Sequence, residues 1–179
     1  TEASMRERII KQHKNAEGKI SILPQFVADL SEWRDAQPTK DLHQLYPQFK
    51  FIILMKVRLV KTSNVTFAID ACQFVLRQYP NVGMVIVGDG PEEGKIRGHI
   101  ESKGLNSKIV LEKSDGDMYS YAKTADMFLS TTSNEYDDRQ LVEIAAAGLP
   151  VVALSAGLAQ TLFENEKSGL LCAPNDMGC

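Results

Sequence analysis

Cysteine is scarce in this chain of 179 residues: Cys72, Cys172 and Cys179 make an odd count and include no Cys-x-x-Cys pair. That speaks against a disulfide-stapled scaffold and thiolate metal chemistry, and it points to a reducing, cytoplasmic setting. The histidines, His13, His43 and His99, are scattered, and none has a serine, cysteine or acidic partner at a telling spacing. Neither a nucleophile elbow nor a Walker loop is present. No apolar run approaches the roughly 18 residues of a membrane span, and no signal peptide is visible. Positive charge is not in excess either. Lys and Arg number 20 against 23 Asp and Glu, a net charge of −3, which argues against nucleic acid or an anionic membrane as the main partner. Any phosphate binding must therefore be local, done by one or two cations and oriented backbone amides.

A composition of 44% hydrophobic and 24% charged residues is that of a globular domain rather than a disordered chain. From about residue 50 onward the sequence alternates strand and helix. Residues 50–57 (KFIILMKV), 82–88 (VGMVIVG), 107–112 (SKIVLE), 126–130 (DMFLS), 150–154 (PVVAL) and 169–172 (GLLC) read as short strands. Their near-continuous apolar character implies burial on both faces, as in a parallel sheet covered by helices. Between them, Val65, Ala68, Ile69, Cys72, Val75, Leu76 and Tyr79 recur at helical spacing, with Asn64 placed to cap that helix. Pro91 opens and Gly104 ends a second helix, Asp115 or Asp117 caps a third over 118–124, and a fourth runs over about 139–147 and stops at Gly148. The expected fold is α/β, an open, doubly wound, mostly parallel sheet.

The first 36 residues differ. Residues 4–14 read as an amphipathic helix and 19–23 (KISIL) as a strand, followed by an aperiodic stretch holding the one Trp, Trp33. We divide the chain into a connector, 1–36, left from a preceding domain, and a Rossmann-like domain, 37–179. Because Thr1 begins inside a helix, the chain is expected to belong to something longer.

In such sheets ligands bind outside the carboxyl ends of the strands. Arg58 directly follows the strand 50–57, where it could grip a diphosphate with two parallel hydrogen bonds or form a surface salt bridge. Glu135 and Glu143 are separated by seven residues. Carboxylates suit sugar recognition because each accepts two hydroxyl hydrogen bonds, although both could equally be solvated charges. The apolar flanks of Glu143 favour a buried carboxylate with a purpose. Gly88-Asp89-Gly90-Pro91 reads as a tight turn ahead of a helix, since Glu93 stands where a dinucleotide fingerprint needs glycine. Asp115-Gly116-Asp117 could hold a divalent metal, but helix capping explains both carboxylates without one.

Arg58-Leu59-Val60, Asn64-Val65, Gly88-Asp89-Gly90-Pro91, Thr124-Ala125-Asp126, Ser133-Asn134-Glu135, Glu143, Ala146-Ala147-Gly148-Leu149-Pro150 and Ser168-Gly169-Leu170-Leu171 occur in an ordered series. Together they resemble the C-terminal domain of retaining glycosyltransferases of the GT-B fold, in the large bacterial and archaeal mannosyl- and glucosyltransferase group. The resemblance covers about residues 19–176. It implies a nucleoside-diphosphate sugar as donor substrate, no bound metal or other cofactor, and a catalytic cleft completed by an acceptor-side domain that this chain lacks. It also implies roles. Arg58, with Ser63 and Gly90, would meet the donor diphosphate, and Glu143 the ribose hydroxyls. Glu135, the candidate catalytic carboxylate, would face the transferred sugar, and backbone around residues 111–113, with Lys113, would edge the base.

Five positions depart from the family pattern. Val57 replaces a glycine, Ser63 a second diphosphate cation, Tyr136 and Asp138 the glycines of a Gly-x-Gly loop, and Leu158 the second glycine of a pair. Glycine permits close backbone approach and positive φ, which the larger residues resist. A charge such as Asp138 beside a diphosphate costs on the order of 1–4 kcal/mol. Two readings therefore stand: a donor-binding domain, or a degenerate relative serving as a binding or scaffolding subunit. A nucleotide-sugar epimerase is the weaker third, because its catalytic acids and histidine have no counterparts here.

Overall fold

The computed structural model describes residues 2–13, 15, 17–21, 30–35, 37–131, 138–174, 176 and 178. Its elements in chain order are helices α1 (Glu2–Gln12), α2 (Ser31–Asp35) and α3 (Leu42–Leu45), strand β1 (Phe51–Lys56), a 3₁₀ turn (Lys61–Ser63), α4 (Val65–Gln78), β2 (Val82–Val87), α5 (Glu93–Ser102), β3 (Ile109–Glu112), α6 (Met118–Thr124), β4 (Met127–Ser130), α7 (Asp138–Ala147), β5 (Val151–Leu154), α8 (Ala159–Leu162) and β6 (Leu170–Cys172). All six expected strands form. The expected strand at 19–23 does not appear at Lys19, Ile20 or Ser21, and Ile22 and Leu23 lie outside the described residues.

The apolar runs become strands because their side chains can be buried alternately on two helix-covered faces. Ile52 and Leu54 of β1 point to one face, with Val85, Val87, Phe128, Val151 and Ala153, where Tyr121, Ala122, Leu141, Ile144 and Ala159 from α6, α7 and α8 pack. Ile53 and Met55 point to the other, with Met84, Ile86 and Ile109, beneath Ala68, Ile69 and Leu76 of α4 and Ile96 and Ile100 of α5. Every strand pair is parallel, in the order β3-β2-β1-β4-β5-β6. The chain thus winds outward from β1 in one direction, crosses back, and winds outward from β4 in the other. Between the carboxyl ends of β1 and β4 the connections part, leaving the crevice in which such sheets bind ligands.

Helix ends follow the expected residues, with one change of mechanism. Gly104 (φ +66°) and Gly148 (φ +79°) terminate α5 and α7 in the left-handed region, their amides returning to Glu101 and Ala145 carbonyls. Asn64 occupies the cap position of α4, but it adopts a left-handed conformation (φ 52°, ψ 32°) and its side chain makes no cap bond. It turns the backbone rather than capping it. The short helices α3 and α8, four residues each, carry too little periodicity to be read in advance. Trp33 packs on the core and against Tyr119, their ring centroids 5.7 Å apart, and α2 lies against α7. Cys72 is free, and burial raises its thiol pKa to about 11, so it is an unreactive core residue. Cys172 is disulfide-bonded, which removes the odd cysteine count as an argument for a reducing setting.

Candidate functional site

The loop after β1 continues the strand's pairing past its last residue. Val57 N–H donates to the Val87 carbonyl (3.0 Å), Leu59 N–H to Asp89 (2.9 Å), and Glu92 N–H back to Leu59 (3.0 Å). Only glycine fits against this clamp. A Cβ on Gly88 would lie 1.9 Å from the Val57 carbonyl oxygen, and one on Gly90 would lie 2.4 Å from that of Leu59. The Gly-Asp-Gly-Pro turn therefore joins two loops at van der Waals range, as well as starting α5. Pro91 precedes that helix by two residues rather than occupying its first position. Across the crevice, the Thr131 hydroxyl at the end of β4 donates to the Ser63 carbonyl (3.1 Å), tying the two diverging loops together.

These connections shape a groove of about 340 Å³ at the carboxyl rim. It is lined by Lys56, Val57 and Arg58 after β1, Val87, Gly88 and Asp89 after β2, Ser114 after β3, and Gln140 in the first turn of α7. A larger hollow, about 630 Å³, opens at the opposite rim, near the amino ends of β5 and β6, among largely apolar residues such as Leu149, Pro150, Val152 and Leu170. Charge and topology favour the smaller one: it lies at the switch point and is lined by two cations, Lys56 and Arg58, against Lys167 with Glu166 in the larger.

Arg58 is exposed and, among the described residues, its guanidinium makes no ion pair or hydrogen bond. Gln140 is the other unsatisfied group. Its amide nitrogen is buried and without a partner, and it is the one such side-chain atom among the described residues. A buried unpaired donor costs on the order of 1–3 kcal/mol and is rare in folded proteins. Sequence reasoning missed Gln140, although a signal existed. It lies three residues before Glu143, so both share a helix face whenever one faces inward.

The other expected residues fall at stated distances from this groove along the chain. Glu143 is one helical turn beyond Gln140, its side chain 12% exposed. It is not the lone buried carboxylate that its flanks suggested, because the Arg139 guanidinium one turn earlier donates to it (2.7 Å). Gly90 follows Asp89 in the clamp, and exposed Lys113 precedes Ser114. Ser63 is 4% exposed and does not line the groove, and of the nearby lysines Lys56 lines it and Lys61 does not. Glu135 and Tyr136 lie outside the described residues, as does the side chain of Asp138.

Two of the departures from the family pattern cause no backbone strain. Val57, 5% exposed, packs into the core cluster beneath α4, and its φ is not positive. Leu158 has ordinary helical dihedrals (φ −67°, ψ −28°), while the turn's left-handed residue is Gly157 (φ +57°).

The carboxylates beyond β3 are all engaged. Asp117 caps α6 by accepting from Ser120 N–H (3.2 Å) and also accepts from the Thr39 hydroxyl (2.7 Å). Asp115 accepts from Asp117 N–H (3.0 Å) and pairs with Lys40. The Lys40 hydrogen bond holds the Asp115 carboxyl below its usual range. Partial burial pushes that of Asp117 up, but the bonds from Thr39 and Ser120 outweigh it and lower it. Capping and pairing thus account for both, and no group of three or more potential metal ligands occurs among the described residues. Glu112, the last residue of β3, takes the hydroxyls of Tyr46 and Tyr121, the latter at 2.5 Å. Burial and then this carboxylate push the Tyr121 phenol well above its usual range. At the amino rim, Asp126 accepts from Ile52 N–H (2.7 Å) and lies 3.2 Å from His43, so it fastens β4 to β1 rather than serving the groove.

The profile of the family described as Glycosyl transferases group 1 matches residues 39–178. Alpha-monoglucosyldiacylglycerol synthase of Acholeplasma laidlawii is 22% identical over 167 residues, which are 89% of this chain and 42% of that protein. The chain therefore spans less than half the length of that relative. The C-terminal domain of a glycosyl transferase group 1 family protein from Francisella tularensis superposes with a TM-score of 0.70 at 19% identity, covering 84% of this chain and 82% of that one. The Anabaena protein HepE, crystallised with UDP and glucose, gives 0.69 at 24% identity, over 84% of this chain and 42% of that one. No helix among the described residues is long and apolar enough to cross a membrane. With its parallel sheet in the order 3-2-1-4-5-6 and its rim groove between the two windings, the chain belongs to the group 1 glycosyltransferases and is the C-terminal, Rossmann-like half of their GT-B fold.

Proposed function

We propose that this chain is the donor-binding domain of a glycosyltransferase that moves a hexose from a nucleoside-diphosphate sugar to an acceptor held by a second domain. The observation that carries this reading is the unpaired Arg58 guanidinium in a groove at the β1/β4 switch point, beside the amino end of α7. A guanidinium at that rim matches two phosphoryl oxygens at once, and the amino end of a ten-residue helix adds partial positive charge. Glu143 takes the ribose hydroxyls once Arg139 shares or releases its carboxylate. Glu135 faces the transferred sugar, Gly90 lets the β2 loop lie close to the diphosphate, and Ser63 sits where the chain lacks a second cation. Lys113 and the adjoining backbone edge the base. The Anabaena complex with UDP and glucose supports the choice of ligand class.

Uridine and guanosine diphosphates, tested by thermal denaturation and titration calorimetry, should stabilise the chain. At a hundred times Kd the gain is about 2.7 kcal/mol, or several degrees in Tm. Arg58→Ala should abolish it, and no stabilisation at millimolar nucleotide would overturn the proposal. One observation favours the second reading, a scaffolding domain without nucleotide: the Arg139–Glu143 bond already occupies the ribose carboxylate. That reading expects no nucleotide effect, together with stable co-elution with an active partner in gel filtration.

A further inference from the structure

Gln140 holds a polar group where the fold gives it nothing to do. Its Nε2 is buried and, among the described residues, without an acceptor; the residue lines the groove together with Arg58 and Lys56 and belongs to the first turn of α7. Buried polar side chains elsewhere in the domain have partners: Ser120 receives the amide of Thr39, and the Thr131 hydroxyl donates to the Ser63 carbonyl. An amide nitrogen has hydrogens to give and no lone pair to offer, so whatever completes it must be an acceptor. With two cations lining the same groove, an anionic oxygen is favoured over a neutral one. The exposed Asp89 carboxylate faces the same space and opposes an anion, which makes each donor there matter more.

We infer that the Gln140 side-chain amide is a ligand of the donor's diphosphate, donating to a phosphoryl oxygen opposite Arg58 and supplying the contact that a second cation at Ser63 would otherwise make. The inference rests on the donor-binding reading above and adds a residue which that reading does not contain. A neutral donor replaces a charge here, so affinity should depend less steeply on salt than a further cation at position 63 would make it.

The test uses Gln140→Leu, which keeps the volume and removes the donor, and Gln140→Glu, which puts a carboxylate in its place. Wild type and variants are titrated with UDP, GDP, uridine and inorganic pyrophosphate, and their ligand-free Tm values are compared. Loss of a hydrogen bond to a charged oxygen should weaken UDP about ten- to hundredfold in the Leu variant and further in the Glu variant, leaving uridine unchanged. The Leu variant without ligand should melt at or above the wild-type temperature, because an unpaired donor has been removed. A purely structural glutamine would instead lower that temperature and leave UDP binding unaltered. UDP binding of equal strength in wild type and Leu variant overturns the inference while the donor-binding reading stands. Pyrophosphate binding that needs Gln140, without any preference for nucleotides, supports the anion contact and overturns the donor-binding reading. Absence of all binding overturns both.

Discussion

The rim beyond β3 and the rim between β1 and β4 are built from similar residues and end in opposite states. Beyond β3, Glu112, Asp115 and Asp117 each have partners: two tyrosine hydroxyls, a lysine, a threonine and the amides of Asp117 and Ser120. Between β1 and β4, Arg58 and the Gln140 amide have none among the described residues. A carboxylate cluster invites a metal assignment when only its sequence is read, yet here it is structural. The less conspicuous groups across the rim are the ones without a partner among the described residues. Unmet hydrogen-bonding capacity separates the two regions better than residue type does.

The comparison requires that the clamp between the β1 and β2 loops holds the groove's floor rigid, and breaking it should have the largest effect. Gly88→Ala drives a methyl against the Val57 carbonyl, a backbone atom that cannot swing aside. The expected loss is about 3 kcal/mol, at the upper end of overpacking effects, read as the urea midpoint at unchanged m-value. Nucleotide affinity should fall with it, because Val57 and Arg58 must shift together. A variant of wild-type stability would mean that the loops are not locked.

Asp117→Ala tests the satisfied rim. Loss of an N-cap costs about 1 kcal/mol, and nucleotide binding should not change, since Asp117 is absent from the groove lining. The pH dependence has a definite sign. The folded carboxyl titrates below its ordinary value because Thr39 and Ser120 donate to the ionised form. Its contribution is therefore complete above the unfolded value of about 3.9 and disappears as pH falls through the lower folded one. Stability curves of wild type and variant should run parallel from pH 8 to 5 and converge below pH 4. A constant gap down to pH 2 would assign the effect to lost packing.

The sheet was legible in the sequence because each strand is a short apolar run, with β-branched residues in most of them, bounded by polar residues. The sixth strand, three residues long, still showed its Gly-Leu-Leu-Cys pattern. The spatial order of the strands was not legible, because right-handed crossovers permit more than one order and the choice is made by packing between helices distant in sequence. The same division applies to the site. Arg58 could be found from its place after a strand, whereas the state of Gln140 depends on which neighbours reach it in three dimensions. Glu143 was noticed for its apolar flanks, and the remedy for its burial, Arg139, stood four residues away at the ordinary helical spacing for an ion pair.

The smallest expected effect concerns Leu158, where the family pattern has glycine. If that glycine served positive φ, restoring it would stabilise the turn before α8 and sharpen ligand binding. The backbone at 158 is instead right-handed, and Gly157 alone carries the left-handed conformation. Leu158→Gly should thus lower stability by about 0.5–1 kcal/mol through the added freedom of the unfolded chain, with UDP affinity unchanged in calorimetry. Gly157→Ala, made alongside, should cost more, because alanine at φ +57° is strained. If the order of these two effects were reversed, the departure at 158 would be a functional loss after all, and the two glycines of the pattern would have exchanged roles in this chain.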